Sequence, residues 1–219
     1  MPTKTYNCAL LTSAGLANQS IINGLKNLVN KPFEELDLVF IPTAANVEPG
    51  DKGWMIDDLA RTRSLGFKSV DIVDISAVSS EIYGPRLNQA DIIMAGGGNT
   101  FHLMYWAEKV GLKEMIKDKV YIGISAGSCI AGPTIYNSVQ NLFDEKNEYN
   151  QKLGLGLVDF QFIPHLNSEY FSKIRKVYLE VAAKQISEPI YACDDQTAIK
   201  IDGDKTEVLS EGGYLIYNK

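Results

Sequence analysis

Apolar residues along the chain gather in short β-rich runs, separated by longer stretches in which apolar positions recur every three or four residues. The runs predict strands at 8–12, 36–42, 69–74, 91–95, 120–124, 158–164 and 189–193. The longer stretches predict helices at 19–30, 52–65, 100–110 and 170–187, the last with Phe171, Ile174, Val177, Tyr178 and Val181 at helical spacing. Strands alternating with helices in this way specify a mostly parallel sheet with helices on both faces. Toward the end the spacing changes. The runs at 197–201, 206–209 and 214–217 lie too close together for intervening helices and predict an antiparallel meander. The expected fold class is α/β, and with no internal repeat, low-complexity tract or linker the sequence reads as a single domain spanning 1–219.

Composition narrows the function classes. Hydrophobic residues at 45% and charged residues at 22% are ordinary for a globular chain, and no apolar stretch approaches the ~20 residues that would span a bilayer. A net charge of −6 leaves no basic footprint for nucleic acid. The opening segment Met1-Pro2-Thr3-Lys4-Thr5-Tyr6-Asn7 lacks the apolar core of a signal sequence. Three cysteines, Cys8, Cys129 and Cys193, cannot all pair and match no metal-cluster spacing, so a reducing, cytoplasmic setting is expected. A homodimer is compatible with this composition, which does not fix the oligomeric state.

In an open α/β sheet ligands bind at the carboxyl ends of the strands, so residues that follow strands are the place to look for chemistry. Directly after the apolar run Lys119-Val120-Tyr121-Ile122, and ending the strand at 120–124, comes Gly123-Ile124-Ser125-Ala126-Gly127, the pattern of a nucleophile elbow. Glycines on either side let the chain pass close beneath an exposed hydroxyl, and the turn aims the N–H of Ala126 at the place where an oxyanion would form. The run Gly96-Gly97-Gly98-Asn99 opens a helix and offers further backbone donors, with Asn99 either a donor or a helix cap. It is not a dinucleotide fingerprint, because Phe101 stands where the third glycine should be. A serine nucleophile needs a base, and the chain has only two histidines. His165 follows a strand and Pro164, whereas His102 falls inside a predicted helix, so His165 is the better placed. An acid to orient the imidazole is offered at the end of the strand at 189–193, where alternation lets at most one of Asp194 and Asp195 reach it. Asp144, Glu145, Glu148 and Glu169 stand in reserve should neither serve.

Taken in order, Leu11-Thr12-Ser13, Phe40-Ile41-Pro42-Thr43-Ala44, Gly96-Gly97-Gly98-Asn99-Thr100-Phe101, the elbow pentad, Pro133-Thr134-Ile135 and Pro164-His165 resemble the peptidase E family of serine peptidases. That family includes aspartyl dipeptidases and, more distantly, cyanophycinases. The resemblance implies a flavodoxin-like sheet related to class I glutamine amidotransferases, with serine in place of their cysteine. It further implies Ser125 as nucleophile, His165 as base, and the backbone of Gly98 and Ala126 as oxyanion hole. The family's third member, typically a glutamate, matches Asp195 here. Gly97, Asn99 and Tyr136 are the expected substrate-binding residues. The implied reaction is hydrolysis of a short peptide with a free amino terminus, through an acyl-enzyme and without metal or organic cofactor. Aspartyl dipeptidases of the family carry Pro-Thr-Ile-Arg after the elbow, whereas this chain has Tyr136 in place of the arginine. Strict specificity for an amino-terminal aspartate is therefore not expected, unless Lys173 or Arg175 supplies the selecting cation. The alternatives are a non-catalytic binding protein on the same fold, or an esterase or amidase.

Overall fold

A computed structural model describes residues 8–219; the opening segment read for a signal core lies outside them. The strands are β1 Cys8–Thr12, β2 Asp37–Ile41, β3 Ser69–Ile72, β4 Ile92–Ala95, β5 Val120–Ile124, β6 Gln161–Ile163, β7 Ile190–Cys193, β8 Thr197–Asp202, β9 Lys205–Ser210 and β10 Tyr214–Tyr217. The helices are α1 Gln19–Val29, α2 Thr43–Asn46, α3 Gly53–Ser64, α4 Ser80–Gln89, α5 Thr100–Lys109, α6 Leu112–Met115, α7 Ala126–Cys129, α8 Tyr136–Leu142 and α9 Lys176–Ala183.

Seven strands form the main sheet in the order β3-β2-β4-β5-β1-β8-β9, the first five parallel and the last two antiparallel. The parallel order 3-2-4-5-1 is that of a flavodoxin-like sheet with the chain's first strand in the place of the fifth. Successive residues of these strands face opposite sides and are buried on both. Leu38, Phe40, Ile92, Met94 and Ile122 pack into one core, while Val39, Ile41, Ile93, Ala95 and Tyr121 pack into the other. The strands therefore read as unbroken apolar runs in the sequence.

The predicted strands all form, but three of them leave the main sheet. A second sheet has the order β10-β7-β6, with β6 parallel and β10 antiparallel to β7. The expected meander is thus a β8–β9 hairpin, and β10 crosses over to β7 because Leu215 and Tyr217 pack into a third core with Ile174, Leu179 and Ile190. That core also explains α9, which is shorter than the predicted helix 170–187. Leu179 and Ala182 face inward, while Val177, Tyr178 and Val181 of the predicted stripe are exposed, and residues 166–175 form a wound loop instead. Helix α4 was not predicted, because Gly84-Pro85 interrupts it. The lost donor is tolerated because Leu87 is buried and Arg86 clamps onto Asp71 and the Ile72 carbonyl.

From β2 the chain moves to β3 on one side; from β4 it moves to β5 on the other. The crevice between the ends of β2 and β4 is the topological switch point of the sheet. Ser13, Gly96-Gly97-Gly98, Ser125, His165 and Asp195 follow the ends of β1, β4, β5, β6 and β7 respectively.

Candidate active site

Ser125 links β5 to α7 with φ 50° and ψ −107°, a left-handed conformation that a residue with a side chain adopts only under constraint. The two glycines of the pentad provide the constraint by allowing close chain approach. A Cβ on Gly127 would overlap the Ala95 carbonyl, and one on Gly123 would lie 2.6 Å from the Ser128 nitrogen. Strand β1 braces the turn: the Ser125 N–H donates to the Thr12 carbonyl at 2.9 Å, and Ser128 Oγ donates to the same carbonyl at 2.8 Å. The Ser125 carbonyl in turn accepts from the N–H groups of Ser128 and Cys129, both at 2.9 Å. Ser125 is thus held as a raised knuckle at the carboxyl end of the sheet's central strand.

Opposite it, His165 Nε2 lies 2.9 Å from Ser125 Oγ, and Nδ1 lies 2.7 Å from Asp195 Oδ1. A carboxylate can only accept, so Nδ1 carries the proton toward Asp195 and leaves Nε2 to accept from the serine hydroxyl. His165 also has a positive φ, 63°, and its backbone N–H donates to Ser13 Oγ at 3.1 Å. Ser13 Oγ donates to the Cys193 carbonyl at 2.9 Å, joining the ends of β1, β6 and β7. Ser13 belongs to the run Leu11-Thr12-Ser13, and in the sequence only its position after a strand points to this part.

Of the two aspartates, Asp195 is the one within hydrogen-bond distance of His165. Asp194 Oδ1 accepts from the Gln196 N–H at 3.0 Å and from Thr197 Oγ1 at 2.8 Å, while Oδ2 accepts from the Gly213 N–H. Its carboxylate is committed to the turn before β8. His102 packs on α5, with Nδ1 2.6 Å from the Tyr149 hydroxyl, and burial pushes its pKa down.

Gly97 and Gly98 come beside Ser125. A Cβ on Gly97 would stand 3.3 Å from Ser125 Cβ, and Gly98 has φ 121° with the Ala44 carbonyl where a side chain would go. Among the described residues the N–H groups of Gly98 and Ala126 have no protein acceptor. Asn99 caps α5, its Oδ1 accepting from the His102 N–H at 2.8 Å, while the residue still lines the cleft. Tyr136 is not brought to the site. It is exposed at the start of α8, with the Lys152 ammonium 5.7 Å over its ring, because Ile135 beside it is drawn into the core and turns Tyr136 outward.

Ser125, His165 and Asp195 open into a cleft of about 1050 Å³. Its walls carry the carboxylates Glu48, Asp51, Asp57, Asp58, Asp144 and Glu145 against the cations Lys52, Arg61 and Lys146. Each of these cations has an acceptor: Lys52 the carbonyls of Glu48 and Gly50, Arg61 the carboxylate of Asp58, and Lys146 that of Glu148. Burial raises the pKa of Asp58, and the Arg61 guanidinium partly offsets the effect. Glu145, held only in reserve in the sequence reading, accepts from the Phe101 N–H at 2.9 Å at the start of α5. Burial pushes its pKa up to about 7 against the pull of those backbone donors. Among the described residues no group of three or more His, Cys, Asp or Glu side chains is placed to hold a metal ion, and no helix is long and apolar enough to cross a membrane.

Comparison with known proteins identifies the family. A profile of Peptidase family S51 matches residues 9–209. An uncharacterised peptidase of Listeria monocytogenes is 34% identical over 175 residues, covering 76% of this chain and 82% of the relative. A peptidase E of Nostoc is 40% identical over 154 residues, 68% of this chain and 57% of the relative. Among solved structures, a candidate peptidase E of Listeria monocytogenes superposes with a TM-score of 0.78 at 25% identity, covering 94% of this chain and 99% of the other. The chain therefore belongs to Peptidase family S51, the peptidase E family, and is a serine peptidase.

Proposed function

We propose that this peptidase hydrolyses short peptides bearing a free amino terminus, with Ser125 as nucleophile, His165 as general base and Asp195 as the acid that orients it. The observation that carries the reading is the continuous chain from Ser125 Oγ through His165, at 2.9 Å and 2.7 Å, to Asp195. Ser125 Oγ attacks the scissile carbonyl carbon while its proton passes to His165 Nε2. The oxyanion accepts from the Gly98 and Ala126 N–H groups, donors worth about 3 kcal/mol each where they are preorganised. The C–N bond then breaks, Nε2 returns the proton to the leaving amine, and water activated by the same nitrogen releases the acyl group as an acid. Asp195 stabilises the imidazolium formed in each half of the reaction.

The substrate is proposed to carry a neutral or apolar amino-terminal side chain rather than aspartate. Cleft charge now supports this, in place of Tyr136. The lining acids outnumber the lining cations, and each cation already has an acceptor: Lys52 two backbone carbonyls, Arg61 the Asp58 carboxylate and Lys146 that of Glu148. Of the other basic residues considered, Lys173 pairs with Asp144, and Arg175 donates to backbone carbonyls. An incoming aspartate would meet repulsion from the lining acids, and the Arg61 guanidinium in the wall is already engaged by Asp58. The test is kcat/KM across X-Leu dipeptides. We expect Leu, Ala and Met at X to be turned over at least as well as Asp; a preference for Asp above tenfold would overturn the specificity.

A further inference from the structure

The hydrogen bond that orients His165 is an open one. The Asp195 side chain is 47% exposed, against 16% for His165, so water competes for the carboxylate that should fix the imidazole. The His165 backbone, at φ 63°, fixes where the side chain starts but not the plane of its ring. A second contact does. The Phe171 ring lies on the imidazole with centroids 4.8 Å apart and planes 18° from parallel, covering one ring face. Phe143 packs edge-on against Phe171 at 5.4 Å.

Phe171 is mounted on a loop of turns, its N–H donating to the Ser168 carbonyl at 3.4 Å and its carbonyl accepting from the Ile174 N–H at 3.1 Å. Leu166 and Ile174 anchor its two ends in the third core, and the Asn167 N–H donates to the Ile174 carbonyl at 2.9 Å. The Arg175 guanidinium gathers the loop: Nη2 donates to the Ser168 carbonyl at 2.7 Å, and Nη1 to those of Phe171 and Ile174 at 3.0 and 3.1 Å. Lys173 pairs with Asp144, tying this loop to the segment that carries Phe143. A planar, forked donor suits such a staple; a lysine ammonium does not reproduce it.

We propose that Phe171 is a positioning residue: stacked on His165 and mounted by the Arg175 staple, it holds the imidazole in the plane that aligns Nδ1 with Asp195 and Nε2 with Ser125. This rests on the catalytic roles proposed above. Phe171 also lines the cleft, so the competing role is that of a substrate-pocket wall. The two differ kinetically, since a wall acts through KM and a positioner through kcat.

The experiment compares Phe171→Leu, Phe171→Tyr and Arg175→Lys for kcat and KM on an X-Leu dipeptide and for labelling of Ser125 by a serine-directed phosphonate. An aromatic stack of ordinary strength implies a fall in kcat of about two- to tenfold for Phe171→Leu. KM should stay within about twofold, Phe171→Tyr should restore kcat, and Arg175→Lys should fall in the same direction. Because Arg175 acts through Phe171, adding Phe171→Leu to Arg175→Lys should lower kcat little further. Unchanged kcat in Phe171→Leu, or a raised KM with kcat held, overturns the proposal. Should Phe171→Leu not fold, unchanged kcat in Arg175→Lys overturns it equally. If the wild-type protein is not labelled at Ser125, the serine mechanism fails on its own account. The low-field proton resonance of His165 Nδ1–H then decides: sharp in wild type and Phe171→Tyr but broadened in Phe171→Leu, it supports the stack; unchanged in all, it removes it.

Discussion

The two halves of the proposed triad are built on different sheets and held by different forces. Ser125 comes from the main sheet, where close-packed backbone fixes it: Gly123 and Gly127 leave no room for a side chain, and β1 accepts its N–H. His165 and Asp195 come from the small second sheet, where side chains do the holding: Ser13 at the backbone, Phe171 over the ring, Asp194 in the adjoining turn. A nucleophile in a strained turn is set by sterics, which cannot relax by degrees. A base set by hydrogen bonds and a stack is adjustable and correspondingly easier to disturb.

The sharpest way to break the second half is at its acid. Asp195→Asn should lower kcat by about 10⁴, because an amide in place of the carboxylate allows the wrong imidazole tautomer. Asp194→Asn should act mainly on stability, through the turn to Gly213, and far less on kcat. Steady-state kinetics beside thermal melts would separate them, and the reverse ranking would mean that the turn aspartate carries the chemistry. In the first half, Gly127→Ala should destabilise the fold by about 3 kcal/mol or more, since the Ala95 carbonyl occupies the Cβ position and the sheet cannot yield. Urea unfolding measures this, and a loss below about 1 kcal/mol would show a softer elbow than the sterics imply.

A further effect distinguishes the cleft wall from both halves. Glu145 titrates at about 7 in the folded protein, above the usual glutamate value of 4.5. Between those values the folded state holds more protons than the unfolded one, so stability falls as pH rises through the window and levels off above it. Glu145 alone accounts for a loss of up to about 3 kcal/mol from pH 4.5 to 7, so across that window Glu145→Gln should lose less stability than wild type by that amount, other titrating groups such as His102 acting alike in both. Parallel slopes for the two proteins in pH-dependent denaturation would refute it. Smallest is the seam. Ser13→Ala leaves the His165 N–H without its acceptor and should cost about 1–2 kcal/mol of stability, with kcat down about tenfold at nearly constant KM. A rise in KM with kcat held would move Ser13 from the seam to substrate binding.

What the sequence revealed follows the same division. The elbow was legible because its constraint is local: two glycines flank Ser125, and an apolar strand precedes it. His165 was legible by scarcity, there being only one competing histidine. Strand alternation alone does not separate Asp194 from Asp195, and only the family resemblance points to Asp195, since the partner that commits Asp194 is Gly213, in a turn farther along the chain. Phe171 was read as part of a helix because its spacing to Ile174 suits one, and only the Arg175 contacts with three carbonyls reveal a loop there. Strand positions were likewise clear, whereas the departure of β6, β7 and β10 to a second sheet depends on which cores they join. Tyr136 illustrates the converse. A motif position suggested a substrate contact, and the burial of Ile135 turns its neighbour to solvent.

The central claim is that the two halves act as one catalytic unit. Its most direct test is kcat for Ser125→Ala, His165→Ala and the double variant on one dipeptide. The account predicts that each single change lowers kcat by about 10⁴ to 10⁶ and that the double variant is only a few-fold worse than either. Losses that multiply in the double variant, or wild-type turnover in Ser125→Ala, would contradict it.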